Sequence, residues 1–210
     1  MDDRSPTWGI LLAAGRGTRF GRQKHDTELN GMPLWHWARR ALIDGGVGHV
    51  VTVGDLDGAV PGGDRRQDSV AAGLAQIPSE DGLVLIHDAA RPLLSPDMVR
   101  RVISRLLVGD VVGVIPAIPV RDTIKRVDRE RVVETIERSD LIAVQTPQGF
   151  NLRVLRAAHA SFEGEATDDA SMVESIGGSI AVVDGDPMNL KVTYPEDLRL
   201  IEALRRGEHD

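Results

Sequence analysis

The chain has 210 residues, with ordinary hydrophobic and charged shares of 41% and 27%, an aromatic share of only 3%, and no cysteine. This excludes disulfides, thiolate catalysis and cysteine-ligated metals, and it calls for one mostly aliphatic core. With 25 basic against 32 acidic residues the net charge is −7, which argues against a general affinity for nucleic acid or anionic membrane and leaves any anionic ligand to a local cluster of cations.

The N-terminus, Met1-Asp2-Asp3-Arg4, lacks a basic region followed by an apolar one, and no apolar run approaches the roughly 20 residues needed to cross a bilayer. A cytoplasmic protein without membrane contact is expected. The first apolar run, Trp8 to Leu12, reads as a buried strand and leads into Ala13-Ala14-Gly15-Arg16-Gly17-Thr18-Arg19. Gly15 and Gly17 let the backbone approach a ligand so that peptide N–H groups point at anionic oxygens, and Arg16 and Arg19 add full charge. By itself such a turn is equally the ordinary exit from a parallel sheet.

Pro33 is placed in the first turn of a helix through Trp37, Ala41 and Leu42, stopped by Gly45-Gly46. A strand at Val50 to Val53 follows, then Gly62-Gly63-Asp64-Arg65-Arg66-Gln67-Asp68-Ser69-Val70, a glycine turn opening a helix, suited to hydrogen-bonding a base or sugar and equally readable as a solvated loop with an Asp or Ser N-cap. The strand Leu83 to Ile86 runs into His87-Asp88-Ala89-Ala90-Arg91-Pro92, which places Asp88 and Arg91 on a loop at the sheet edge. Ser95-Pro96-Asp97 is an N-cap, a first-position proline and an acidic first turn, with Val99, Val102, Ile103 and Leu106 as the buried stripe and Gly109 as the stop. After the strand Val111 to Ala117, the stretch Thr123 to Glu137 reads as a polar hairpin turning at Asp128 to Glu130. An arm this short cannot bury a core of its own, so a second copy of the chain is the expected partner.

Further on, Gln145-Thr146-Pro147-Gln148 is read as ending a strand, Thr167-Asp168-Asp169-Ala170-Ser171 as opening a helix, Ile180 to Val183 as a strand, and Asn189-Leu190-Lys191-Val192-Thr193 as preceding the last helix. Thr193 with Glu196 has capping-box spacing around Pro195. The chain ends soon after that helix, so no fused downstream enzyme is expected. Alternating strands and helices predict an α/β fold, a Rossmann-like doubly wound and mostly parallel sheet with a projecting β arm at about 118–146, in one domain over 1–210, with ligands at the strands' carboxyl ends. A dinucleotide dehydrogenase fits poorly, because the third glycine of the first loop is offset and no acidic residue ends the second strand until Asp55.

The six motifs in this order (the glycine-rich loop, HDAARP, DTIKR, QTPQ, TDDAS and NLKVT) resemble the 2-C-methyl-D-erythritol 4-phosphate cytidylyltransferases, from about Gly9 to about Leu204. The first loop alone indicates only the wider nucleotidyltransferase superfamily. The resemblance implies a Rossmann-like fold whose β arm joins two subunits, and a reaction of CTP with 2-C-methyl-D-erythritol 4-phosphate that releases pyrophosphate, with Mg2+ carried by the CTP phosphates and no direct protein ligand to it. It assigns Arg19, Lys24 and Lys191 as the catalytic cations. Ala13, Ala14, Gly15 and Gly17 would bring backbone donors to the nucleotide, Gly63, Asp64 and Ser69 would read cytosine, and Asp88 would contact the reacting groups and sugar hydroxyls. Thr123, Arg138 and Thr146 would bind the acceptor from a partner's arm, with Arg91 and Thr167 nearby. The chain departs from the family pattern at Arg22-Gln23-Lys24-His25, where a proline usually precedes the lysine. Lys24 is the only lysine there, and Arg22 is open as its substitute. Open too are a related acceptor such as ribitol 5-phosphate and a non-catalytic nucleotide-binding protein.

Overall fold

The computed structural model describes residues 6–14 and 27–206. Strand β1 (Thr7–Leu12) is followed by the ribbon β2 (Glu28–Leu29) and β3 (Met32–Pro33), helix α1 (Leu34–Asp44), β4 (His49–Val53), α2 (Arg66–Leu74), β5 (Leu83–Asp88) and α3 (Pro96–Leu107). Then come β6 (Gly113–Pro119), β7 (Ile124–Asp128), β8 (Arg131–Ile136), β9 (Ile142–Val144), β10 (Gln148–Asn151), α4 (Leu152–Ser161), α5 (Asp169–Ser175), β11 (Ile180–Asp184) and α6 (Pro195–Arg206).

The main sheet runs β11-β6-β10-β5-β1-β4, with β9 paired to β6. Pairs β1–β4, β1–β5 and β6–β11 are parallel, whereas β10 is antiparallel to both β5 and β6 and β9 is antiparallel to β6. Because successive side chains point to opposite faces, each central strand feeds two cores. Ile10, Val84 and Ile86 pack with Val70, Leu74, Leu152, Leu155 and Met172 on one side; Leu11, Leu83 and Leu85 pack with Leu42, Met98, Val99 and Val102 on the other. Each such side chain, moved wholly out of water, contributes roughly 1.5–3 kcal/mol. This is the mostly parallel, doubly wound α/β sheet that the sequence predicts. A third, smaller cluster of Leu29, Leu34, Val192 and Ile201 seats α6 over the β2–β3 ribbon.

The local signals acted as expected at α3, where the Ser95 hydroxyl accepts from the Met98 amide at 3.3 Å. Two details differ. Pro33 stands at the N-cap of α1, after pairing in β3, instead of in the helix's first turn. At α6 the reciprocal carboxylate is Asp197, whose Oδ2 accepts from the Thr193 and Tyr194 amides at 2.7 and 2.8 Å; Pro195 fixes the start one residue later than the Thr193–Glu196 spacing requires. Gln145 to Gln148 follows the end of β9, as expected, and leads at once into β10; both strands run antiparallel to β6. The hairpin is present as β7 and β8, which among the described residues pair only with each other and turn at Arg129, in the left-handed region at φ +53. Its Val127, Val132 and Val133 are exposed, as are Ile142 and Val144 on β9 at its root. No helix among the described residues is long and apolar enough to cross a membrane.

Candidate active site

The carboxyl ends of β1, β4, β5 and β11 converge on one rim of the sheet, and so does the amino end of β10 because that strand runs the other way. Ala13 continues from β1 with its amide bonded to the Val53 carbonyl at 2.7 Å. Opposite it, Gly62 has no room for a side chain: a Cβ there would lie 2.4 Å from the Cβ of Ala14, so the Ala14 methyl packs against the bare glycine backbone. Gly63 donates its amide to the Ser69 hydroxyl at 3.1 Å, and that hydroxyl also faces the Arg65 carbonyl. Asp68, at the third position of α2, accepts from the Arg65 amide at 3.1 Å and closes the turn. Asp64 sits exposed within it.

Asp88 ends β5 and is the centre of the cluster. Its Oδ2 accepts from Lys191 Nζ at 2.7 Å, and its Oδ1 lies 3.6 Å from Arg66 Nε. Burial alone would raise the Asp88 carboxyl, but Lys191 and Arg66 outweigh it, with Arg91 adding to them, and hold it well below the usual carboxylate range. Arg66 also donates to the fully buried Asp169 at 2.6 Å, and His159 Nε2 stands 3.0 Å from the other oxygen of Asp169. Burial works against the charge on Arg66, yet the carboxylates of Asp169 and Asp88, with Asp168 adding to them, more than restore it. Lys191 is the accessible member: its side chain is 45% exposed, against 12% for Asp88. It can therefore turn toward an incoming anion while Arg66 continues to compensate Asp88.

Behind this cluster lies a chain of buried hydrogen bonds. The Asp88 amide donates to the Thr146 hydroxyl at 3.2 Å, which leaves the hydroxyl proton for His87 Nδ1 at 2.9 Å and the Nε2 proton for the Arg91 carbonyl at 3.3 Å. Burial lowers the His87 imidazole to about 4, so it is neutral near pH 7. Arg91 donates to the Asn189 carbonyl at 2.6 Å, and Asn189 Nδ2 donates to the Thr146 carbonyl at 2.8 Å. Burial lowers Arg91 somewhat, against the pull of Asp88, but a guanidinium stays charged. Arg91 Nε and Asn189 Oδ1 are buried without a hydrogen-bond partner among the described residues, a donor and an acceptor on two residues already in contact.

The residues expected from the sequence are thus brought together in part. Asp88, Lys191, Arg91 and Thr146 form one connected cluster, with the Thr146 hydroxyl committed to His87 and Asp88. Ala13, Ala14, Gly63, Asp64 and Ser69 line the adjoining turn, and Thr167 lies exposed on the loop before α5. Thr123 and Arg138 stand exposed at the arm, where the Arg138 guanidinium bonds the Arg121 carbonyl; neither hydrogen-bonds to the Asp88 cluster among the described residues. Gly15, Gly17, Arg19, Lys24 and the alternative Arg22 lie outside the described residues. Sequence reasoning did not single out His87, Arg66, Asp169 or Asn189, though His87 is adjacent to Asp88 and Arg66 follows the glycine turn. Among the described residues, no three or more His, Asp or Glu side chains gather where they could hold a metal ion.

The model of the 2-C-methyl-D-erythritol 4-phosphate cytidylyltransferase family matches residues 8–206. The Streptomyces coelicolor enzyme of that name is 42% identical, over 96% of this chain and 86% of that one. A bifunctional enzyme IspD/IspF from Solidesulfovibrio magneticus is 44% identical over 91% of this chain, which spans 55% of that relative's length. The crystal structure of the Thermus thermophilus cytidylyltransferase superposes with a TM-score of 0.78 at 33% identity, covering 94% of this chain and 98% of that one.

Proposed function

The chain belongs to the 2-C-methyl-D-erythritol 4-phosphate cytidylyltransferase family, and on that premise we propose that it joins CTP to 2-C-methyl-D-erythritol 4-phosphate, giving 4-diphosphocytidyl-2-C-methyl-D-erythritol and pyrophosphate. The observation that carries this reading is the Asp88 cluster, where a half-exposed lysine is held on a doubly compensated carboxylate at the rim of the sheet, beside a glycine turn.

The acceptor needs no strong base. A phosphomonoester with a second pKa near ~6 is already largely dianionic at neutral pH, so one of its oxygens attacks the α-phosphorus of CTP directly. The new P–O bond forms as the bond to the β-phosphate oxygen breaks, and pyrophosphate carries away the electron pair. Charge accumulates on the α-phosphoryl oxygens, and the protein's task is to neutralise it with cations already in place. Lys191 takes that role by exchanging Asp88 for a phosphate oxygen, together with Arg19 and Lys24, which follow the glycine-rich loop in the chain. Mg2+ enters with the substrate as Mg·CTP. Asp88, with cations facing both its oxygens, is a poor ligand for a further cation and better suited to accepting from a hydroxyl once Lys191 has moved.

Gly63, Asp64 and Ser69 face the cytosine, and Ala13, Ala14, Gly15 and Gly17 supply backbone around the nucleotide. Arg91 and Thr167 stand on the polyol side, and Thr146, whose hydroxyl is engaged by His87 and the Asp88 amide, shapes that side of the site by fixing the backbone at Asp88. The acceptor phosphate is met by Thr123 and Arg138 of a second copy; a guanidinium can grip two phosphate oxygens at once. The exposed valines of the arm support such a homodimer, because apolar side chains on an unsupported hairpin need a cover. We read residues 1–210 as one nucleotidyltransferase domain carrying that arm. Pyrophosphate release measured for CTP and UTP against a panel of polyol phosphates tests the reading. The highest kcat/KM belongs to CTP with the methylerythritol phosphate; a preference for ribitol 5-phosphate, or no release at all, refutes it.

A further inference from the structure

The first turn of α2 reaches across to a segment almost one hundred residues further along the chain. Gln67 is 8% exposed, and both ends of its side-chain amide are engaged there: Nε2 donates to the Gly164 carbonyl at 3.0 Å, and Oε1 accepts from the Ala166 amide at 2.8 Å. The amide thereby replaces a peptide group of a neighbouring strand, which offers the same donor and acceptor. Arg65 Nη1 donates to the same Gly164 carbonyl at 2.9 Å and occupies its second lone pair. Gly164 presents that carbonyl from φ +106, a conformation that side-chain-bearing residues rarely adopt. One residue beyond Ala166 is Thr167, followed by Asp168, whose carboxylate caps α5 and accepts from Gln148 at 2.7 Å. On the other flank, Gln67 lies between the Gly63–Asp64 turn and Ser69.

We propose that Gln67 is a positioning residue that fastens the loop carrying Thr167, on the acceptor side, to the turn that reads the nucleotide base. The inference rests on the cytidylyltransferase reading above and adds to it a link between the two substrate subsites. Few side chains can take the place of this amide: asparagine is one methylene shorter, and an ionised glutamate offers no donor to the Gly164 carbonyl. If the loop holding Thr167 is set by this contact, losing it weakens the grip on the polyol phosphate and leaves the base and triphosphate contacts in place.

The test compares wild-type enzyme with Gln67→Met, which preserves the length of the side chain and removes both hydrogen bonds. The expected result is an increase of about tenfold in KM for the methylerythritol phosphate, the factor one net hydrogen bond is worth, with KM for CTP and kcat moving less than about twofold. Amide hydrogen exchange at Ala166 accelerates in parallel, while the thermal midpoint stays within a few degrees. Gln67→Glu, which retains the acceptor for Ala166 and loses the donor to Gly164, shows the same division between the two KM values. Unchanged acceptor KM, equal rises in both KM values, or unaltered exchange at Ala166 overturns the proposal, as does failure of both variants to fold, which would assign the amide to stability alone. If the wild-type enzyme releases no pyrophosphate from the two substrates, the reaction itself is refuted and the link falls with it; active wild type with an indifferent Gln67→Met refutes the link only.

Discussion

Acidification should destabilise the protein through His87 before most carboxylates titrate. The imidazole is fully buried, it accepts from the Thr146 hydroxyl and donates to the Arg91 carbonyl, and burial lowers it from 6.5 to about 4. Between those two values the unfolded chain binds a proton that the folded chain does not, so stability is fully present above pH 6.5 and falls as the pH drops toward 4. With a gap of about 2.5 pH units at 1.36 kcal/mol each, the loss attributable to His87 is about 2 kcal/mol at pH 5 and about 3 kcal/mol at pH 4. Gln at position 87 would keep a donor for Arg91 and an acceptor for Thr146 without titrating. Urea unfolding of wild type and His87→Gln at pH 7, 6 and 5 isolates the effect, since the other histidines and the carboxylates are common to both. The wild type loses about 2 kcal/mol more than the variant over that range. Parallel profiles would show that His87 accepts its proton without penalty, and the argument from burial would be wrong.

Three further outcomes concern the chemistry. Lys191→Met lowers kcat by about 10²–10³-fold in pyrophosphate-release assays, as does alanine at Arg19 or Lys24, while the fold persists; at Lys191 the remaining cation beside Asp88, Arg66, keeps that carboxylate compensated. Unchanged turnover removes the residue from the mechanism. Arg138→Ala raises KM for the methylerythritol phosphate by at least about tenfold and leaves KM for CTP alone; equal effects on both contradict its assignment to the acceptor phosphate. Val133→Asp on the hairpin, read by light scattering and turnover together, yields a monomer without activity, and an active monomer refutes a shared site.

The strands that form the rim were legible because their residues are aliphatic on both faces, as at Leu83 to Ile86, and the caps of α3 were legible because their signals are local. Strand β10 was not. It consists of Gln148, Gly149, Phe150 and Asn151, too short and too mixed to register as a period, and its glycine reads as a turn. The reason for that glycine is tertiary: a Cβ at Gly149 would lie 2.5 Å from Val102 Cγ1, on the helix crossing above it. The same limit applies to the site. Asp88, Arg91 and Lys191 stand in contiguous motifs and could be picked out, whereas Arg66 and Gln67 acquire their roles from Asp169, Gly164 and Ala166, about one hundred residues away. The split of Arg91 and Thr146 from Thr123 and Arg138, between the cluster and the exposed arm, also follows from the path of the chain and not from spacing.

The reversed direction of β10 has a mechanical consequence. In an all-parallel sheet the chain only leaves at the ligand edge; with β9 turned around as well as β10 it also re-enters there. The excursion that begins at Pro119 and returns through Ile142, its register partner on β9, therefore has both of its feet planted on that edge. A force applied at the hairpin tip has a short, doubly anchored lever to act through, and it arrives at the Thr146 corner beside Asp88 without crossing the body of the sheet.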